Sequence, residues 1–147
     1  SEKLGWEFVD LDEQIAQKAG CPIPEIFQRE GESGFRERER QSLLEVLSSK
    51  NRVISCGGGI ITRPDNVADL KARPGTVCLK VSPEEAWRRI GCDPNRPLVQ
   101  GDQPRETLER LLNEREDIYA SFPLRVETDG FRPSEVADRI LSELRKG

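Results

Sequence analysis

Two short strings carry the residue types that chemistry needs. In "FVDLD", Asp10 and Asp12 stand two apart at the end of an apolar run; in "SCGGG", Gly57, Gly58 and Gly59 follow another. Residues two apart share a face while the strand persists. One carboxylate of such a pair suits Mg²⁺, which takes one or two carboxylates and completes its shell with water and phosphate oxygens. The other can accept a proton from a hydroxyl. An equally good reading makes Asp12 a plain helix cap. Three consecutive glycines exceed the needs of a turn, and they let backbone N–H groups approach a ligand closely.

The arginines form the second group. In "GESGFRERE", Arg36 precedes Glu39 by three residues, a helical spacing at which a carboxylate can hold a guanidinium in one orientation. The same spacing also describes an ordinary surface pair, which contributes little. Arg96, in "NRP", lies in a stretch rich in Gly, Pro and Asp. An arginine on a closing lid can stabilise charge in phosphoryl transfer, and a loop arginine can equally be solvated. Arg115, in "REDIY", precedes Tyr119 by four, and Arg89 falls in the last turn of a helix, where a cation complements the dipole. The basic residues are mostly Arg, the better fork for carboxylates and phosphates, so a small anionic ligand is indicated weakly.

These residues need a scaffold that brings them together. Trp6 to Val9 reads as a strand, followed by a helix over Glu13 to Lys18 that Gly20 ends. "CPIPEIFQREG" opens a short helix ending near Gly31, and a long one follows with Phe35, Leu43, Leu44 and Leu47 as its apolar stripe. "RVIS" and "GTVCLKV" read as strands, with a helix on "RPDNVADLKA" between them. Ser82, Pro83 and Glu85 predict a capping box. Residues 91–103 read as a mobile lid. A long helix, a strand at "LRVETDG" and a closing helix complete one domain over 1–147. Strands alternating with helices imply an α/β fold with a parallel sheet, whose ligands bind beyond the C-terminal strand ends. "VDLD" and "SCGGG" both sit at such ends.

Composition excludes several classes. A net charge of -4 gives no general attraction to nucleic acid or an acidic membrane. No apolar run is long enough to span a bilayer, and the N-terminus lacks a signal-peptide pattern. There is no His, and Cys21, Cys56, Cys78 and Cys92 show no C-x-x-C, which argues against a zinc-type site and for a reducing compartment. The chain has no Met. Either an initiator was removed or the chain begins inside a longer protein, and the motifs favour the second.

Taken in order, "FVDLD", "IPEIFQREGESGFRERE", "SCGGGI", "RRIGCDPNRPLV", "LLNEREDIY" and "VETDG" resemble the shikimate kinase family over nearly the whole chain. The resemblance implies a P-loop NTPase-like fold of the nucleoside monophosphate kinase type, a three-layer parallel sheet with flanking helices. It implies transfer of the γ-phosphate of ATP, with Mg²⁺, to the 3-hydroxyl of shikimate. Asp10 would help hold Mg²⁺, and Asp12 would bind the hydroxyl and act as base. Arg36 and Arg115 would grip the shikimate carboxylate, with Gly57, Gly58 and Gly59 wrapping the substrate and Phe27 and Phe35 lining its pocket. Arg96 would reach the ATP phosphates and Arg89 the adenine. A cytoplasmic monomer is expected, or a plastid protein if a transit peptide lies upstream. The departure is the family's first strand and G-x-x-x-x-G-K-[ST] loop, which occurs nowhere in this sequence. A second departure is "DGF" at 129–131, where some relatives carry an adenine-side Arg. The chain is therefore expected to be an N-terminally truncated kinase, inactive as it stands. The alternative is a non-catalytic binding module that lacks the loop. Arg36 with the triple Gly disfavours a gluconate kinase.

Overall fold

The elements follow the expected order, and the first strand runs directly into a helix. A computed structural model describes residues 1–90 and 103–146. The expected lid, Arg96 and Cys92 lie outside these. The elements are β1 (Glu7–Asp10), α1 (Leu11–Ala19), α2 (Ile23–Leu47), β2 (Arg52–Ser55), α3 (Pro64–Lys71), β3 (Cys78–Lys80), α4 (Pro83–Ile90), α5 (Pro104–Ala120), β4 (Arg125–Glu127) and α6 (Pro133–Leu144). Short 3₁₀ turns occupy Glu2–Leu4 and Gly59–Thr62. The chain divides into two compact units, Ser1–Val67 and Ala68–Gly147.

The strands are parallel, as expected, but form two ladders of two strands each. In the first unit β1 pairs with β2, with Asp10 opposite Ser55. In the second β3 pairs with β4, with Cys78 opposite Arg125. Among the described residues, β2 and β3 each pair with a single strand.

In the first unit Leu11 and Ile15 of α1 and Ile26, Leu43 and Val46 of α2 are buried as one apolar set. Leu44, expected on the stripe, is exposed, while Glu39 and Ser42 are buried. Buried positions 35, 39, 42, 43 and 46 keep the three-to-four spacing of one helix face, and Leu44 falls outside that face. Helix α2 breaks at Gly31, where φ is 72° and ψ -177°. Residues eight apart on a straight helix are separated by about 12 Å. Across this break, however, Arg38 donates to both oxygens of Glu30, from Nε at 2.8 Å and Nη2 at 2.7 Å. The second unit buries Leu70, Ala86, Leu108, Phe122, Val126 and Val136.

Two caps differ from expectation. Asp10, not Asp12, caps α1: its backbone is extended and its Oδ1 accepts from the amides of Asp12 at 3.0 Å and Glu13 at 3.2 Å. The strand enters the helix with no intervening loop, so the last strand residue is also the cap. Ser82 caps α4 by accepting from the Glu85 amide at 3.2 Å. The reciprocal half of the box is taken by another residue. The Ser82 amide donates to the Asp129 carboxylate at 3.1 and 3.2 Å, while Glu85 turns to Arg88 and Arg89.

One buried amide holds the turn after β2. Asn66 has 0% exposure; its Nδ2 donates to the Ile60 carbonyl at 2.9 Å, and its Oδ1 accepts from Arg40 Nη1 at 3.0 Å. Asn66→Ala strips both bonds and leaves a buried carbonyl unsatisfied. It should lower the unfolding free energy by about 2–3 kcal/mol, read as a lower urea midpoint at unchanged slope.

Candidate active site

Because Asp10 lies opposite Ser55, β1 and β2 end level with each other. The residues that follow, Leu11–Asp12 on one strand and Cys56–Gly59 on the other, therefore emerge side by side. Gly57 adopts φ 70°, a left-handed conformation that disfavours side chains. A Cβ built there would stand 3.7 and 3.9 Å from the Asp12 carboxylate oxygens. Thus the capping correction separates the two aspartates: Asp10 is committed to the α1 amides, and Asp12 faces the glycine loop.

At the other end of the loop, a Cβ on Gly59 would fall 2.3 Å from Arg36 Nη1, 2.6 Å from Nη2 and 2.8 Å from Cζ. The guanidinium occupies the space that any side chain at 59 would need. Arg36 Nη1 donates to both oxygens of Glu39, at 3.0 and 3.1 Å. Glu39 is 2% exposed and Arg36 11%. A carboxylate so deep must be paired to remain charged. The remaining nitrogens differ. Nη2 makes a long 3.4 Å contact with exposed Glu32, and buried Nε has no hydrogen-bond partner among the described residues. The Phe35 ring supports the guanidinium, its centroid 5.2 Å from Cζ, and packs on Phe27 at 4.8 Å between centroids. Asp12, Gly57–Gly59 and Arg36, predicted separately, thus form one row with a carboxylate at one end and a guanidinium at the other.

Cys56 reports the electrostatics of this row. Burial pushes its thiol up to about 11, and the negative fields of Glu39, Asp10 and Asp12 add to the effect. A thiol held protonated in acidic surroundings is a poor nucleophile near neutrality, so Cys56 fills space here. Among the described residues no group of three or more acidic, His or Cys side chains could hold a metal ion. The single carboxylate at Asp10 suits only an ion that draws most of its shell from water and phosphate oxygens, which is how Mg²⁺ binds.

The second unit carries two further arginines of the candidate set, Arg89 and Arg115. Arg89 Nε donates to Glu85 at 2.7 Å, while Nη1 and Nη2 donate to the Thr128 hydroxyl at 3.2 Å and carbonyl at 3.1 Å. Glu85, held by Arg88 and then Arg89, is lowered to about 2 and stays ionised. Arg115 interacts with Tyr119 one turn on, whose hydroxyl is raised by burial and drawn back by that guanidinium. Sequence reasoning did not single out Glu32, Asn66 or Asp129. The i,i+4 spacing of Glu32 to Arg36 was visible; the tertiary bonds of the other two have no local signature.

Comparison with known proteins identifies the family. The family model for shikimate kinase matches residues 1–145. Shikimate kinase of Synechococcus sp. (strain RCC307) is 44% identical, over 98% of this chain and 74% of its own length. That of Thermodesulfovibrio yellowstonii is 36% identical over 99% of this chain and 84% of its own. Among solved structures, shikimate kinase from Acinetobacter baumannii in complex with shikimate superposes with a TM-score of 0.92 at 37% identity, covering 99% of this chain and 82% of that one. The Aquifex aeolicus enzyme gives 0.85 at 32% identity, covering 99% and 84%. The row of Asp12, three glycines and Arg36 is therefore carried by a chain that belongs to the shikimate kinase family.

Proposed function

We propose that the row from Asp12 to Arg36 binds shikimate, and that the chemistry it serves is transfer of the γ-phosphoryl group of ATP to the 3-hydroxyl. The observation that carries this reading is the placement of opposite charges at the two ends of the glycine loop. Shikimate has a carboxylate on one side of its ring and hydroxyls on the other, so it needs a cation and a hydrogen-bonding acid at that separation. Arg36 suits the carboxylate, because guanidinium forks match carboxylates in a plane. Asp12 suits the hydroxyl: as its oxygen bonds to the γ-phosphorus and the bond to ADP breaks, Asp12 accepts the hydroxyl proton. Gly57, Gly58 and Gly59 leave room for the ring between them, and Phe27 and Phe35 offer it an apolar wall.

The family match supports Arg115 as a second carboxylate-binding guanidinium, Arg89 on the adenine side and Arg96 towards the phosphates. Mg²⁺, when bound, neutralises charge on the phosphates, and Asp10 would hold it through water. The Asp10 cap fixes that carboxylate on a rigid strand end before any ion arrives.

The sequence contains no G-x-x-x-x-G-K-[ST], which supplies phosphate-binding amides and a lysine. The 147-residue chain is accordingly expected to bind shikimate without turning it over. The alternative is a binding module with no phosphoryl transfer; the presence together of Asp10, Asp12, Arg36, Arg96 and Arg115 favours the enzyme. A coupled assay decides the first point: ATP-dependent ADP release on adding shikimate to this chain would overturn the expectation of inactivity. Titration calorimetry decides the site, with heat expected from shikimate and none from gluconate; equal binding of both would remove the assignment.

Gly59→Ala tests the row itself. The new methyl group must push the Arg36 guanidinium aside, losing a charge-assisted contact worth about 1.5–3 kcal/mol, so shikimate affinity should fall roughly 10- to 100-fold. The helical circular dichroism should not change. Unaltered affinity in a folded Gly59→Ala protein would show that Arg36 does not hold the ligand.

A further inference from the structure

Arg36 faces two glutamates that differ in every respect that matters. Glu39 is buried and holds Nη1 with both oxygens at 3.0 and 3.1 Å. Glu32 has 52% side-chain exposure and reaches Nη2 at 3.4 Å with one oxygen. A guanidinium receives a carboxylate best along one edge, with two parallel N–H donors. Nη1 is occupied by a partner that cannot leave without stranding a buried charge. The edge left is Nε with Nη2. Nε has no partner among the described residues, and Nη2 has only the long contact to Glu32.

We propose that Glu32 is an internal competitor of the substrate carboxylate, occupying half of the edge of Arg36 that the ligand takes and swinging into water when it binds. This rests on the reading of Arg36 as the carboxylate site. Three features support the division of roles. The Glu32 contact is at the outer limit of a hydrogen bond, so little holds it. Its side chain is exposed, so release into solvent carries no desolvation penalty. Its charge adds to that of Glu39, so Arg36 with its two glutamates is formally one unit negative before an anion arrives. Glu32 thereby sets how strongly the site prefers a ligand that can bring two oxygens to one edge. A weaker, one-oxygen contact would not displace it. Glu32 is a specificity-determining residue and makes no contact with the reacting atoms.

The test is calorimetric titration of shikimate, and of its neutral methyl ester, into the wild-type chain and into Glu32→Gln and Glu32→Ala. A unit negative charge about 5 Å from the ligand at the dielectric of water corresponds to roughly fourfold in affinity. Both variants should therefore bind shikimate roughly fourfold more tightly, and the ester should show no gain. Two variants guard against a residual contact from the glutamine amide. Unchanged or weaker shikimate binding in both would overturn the proposal and leave the carboxylate site standing, with Glu32 then a support of Arg36. An equal gain for the ester would also overturn it, since charge would play no part. If no protein binds shikimate, the reading beneath fails and the proposal falls with it.

Discussion

The arrangement of the first unit depends on one buried ion pair resting on a glycine. Arg36 and Glu39 lie on α2 three residues apart, and Gly59 on the loop after β2 lets the guanidinium lie against its backbone. Neither half is stable alone. Without Arg36 the buried Glu39 carboxylate would be stranded, and with any side chain at 59 the guanidinium would have no space. The pair therefore fixes how the helix meets the loop. The same contact leaves one edge of the guanidinium for other partners. A structural necessity and a binding surface are thus two sides of one side chain.

Much of this was legible in the sequence, for identifiable reasons. The strands, the glycine loop and the placement of both motifs at strand ends follow from apolar runs broken by Gly and Asp, which are local signals. Arg36 with Glu39 was legible as a spacing. Its burial was not, because burial depends on Gly59, which is distant in sequence. The assignment of the cap to Asp12 failed because propensity alone cannot say whether a strand enters a helix directly or through a loop. Leu44 was misplaced because four leucine-like positions can be drawn onto more than one helical stripe, and only the packing of α1 against α2 selects among them. The half-box at Ser82 was similar: the sequence offered Glu85, and the fold brought Asp129 to the Ser82 amide.

The two ladders show one device twice. In each unit an acidic side chain accepts backbone amides where the chain leaves a parallel strand for a helix: Asp10 those of Asp12 and Glu13 on α1, Asp129 that of Ser82 ahead of α4. Asp10 ends β1 and Asp129 follows β4 by two residues, the side of a parallel sheet where ligands bind. Capping acids at these positions serve the backbone first, and this fixes them in direction. The chain needs few dedicated residues to build its polar rim.

The break at Gly31 has a consequence for motion. Helix α2 is two helical segments joined by a glycine and pinned by an exposed Arg38–Glu30 fork. Glycine adds backbone freedom to the open state, and an exposed ion pair resists opening weakly. The segment carrying Ile26 and Phe27 is therefore a separate unit of local opening from the segment anchored by Leu43 and Val46. Amides from Ile23 to Glu30 are expected to exchange faster than those beyond the break. The guanidinium of Arg36 sits on the slow side of the division, and one aromatic wall of its pocket on the fast side.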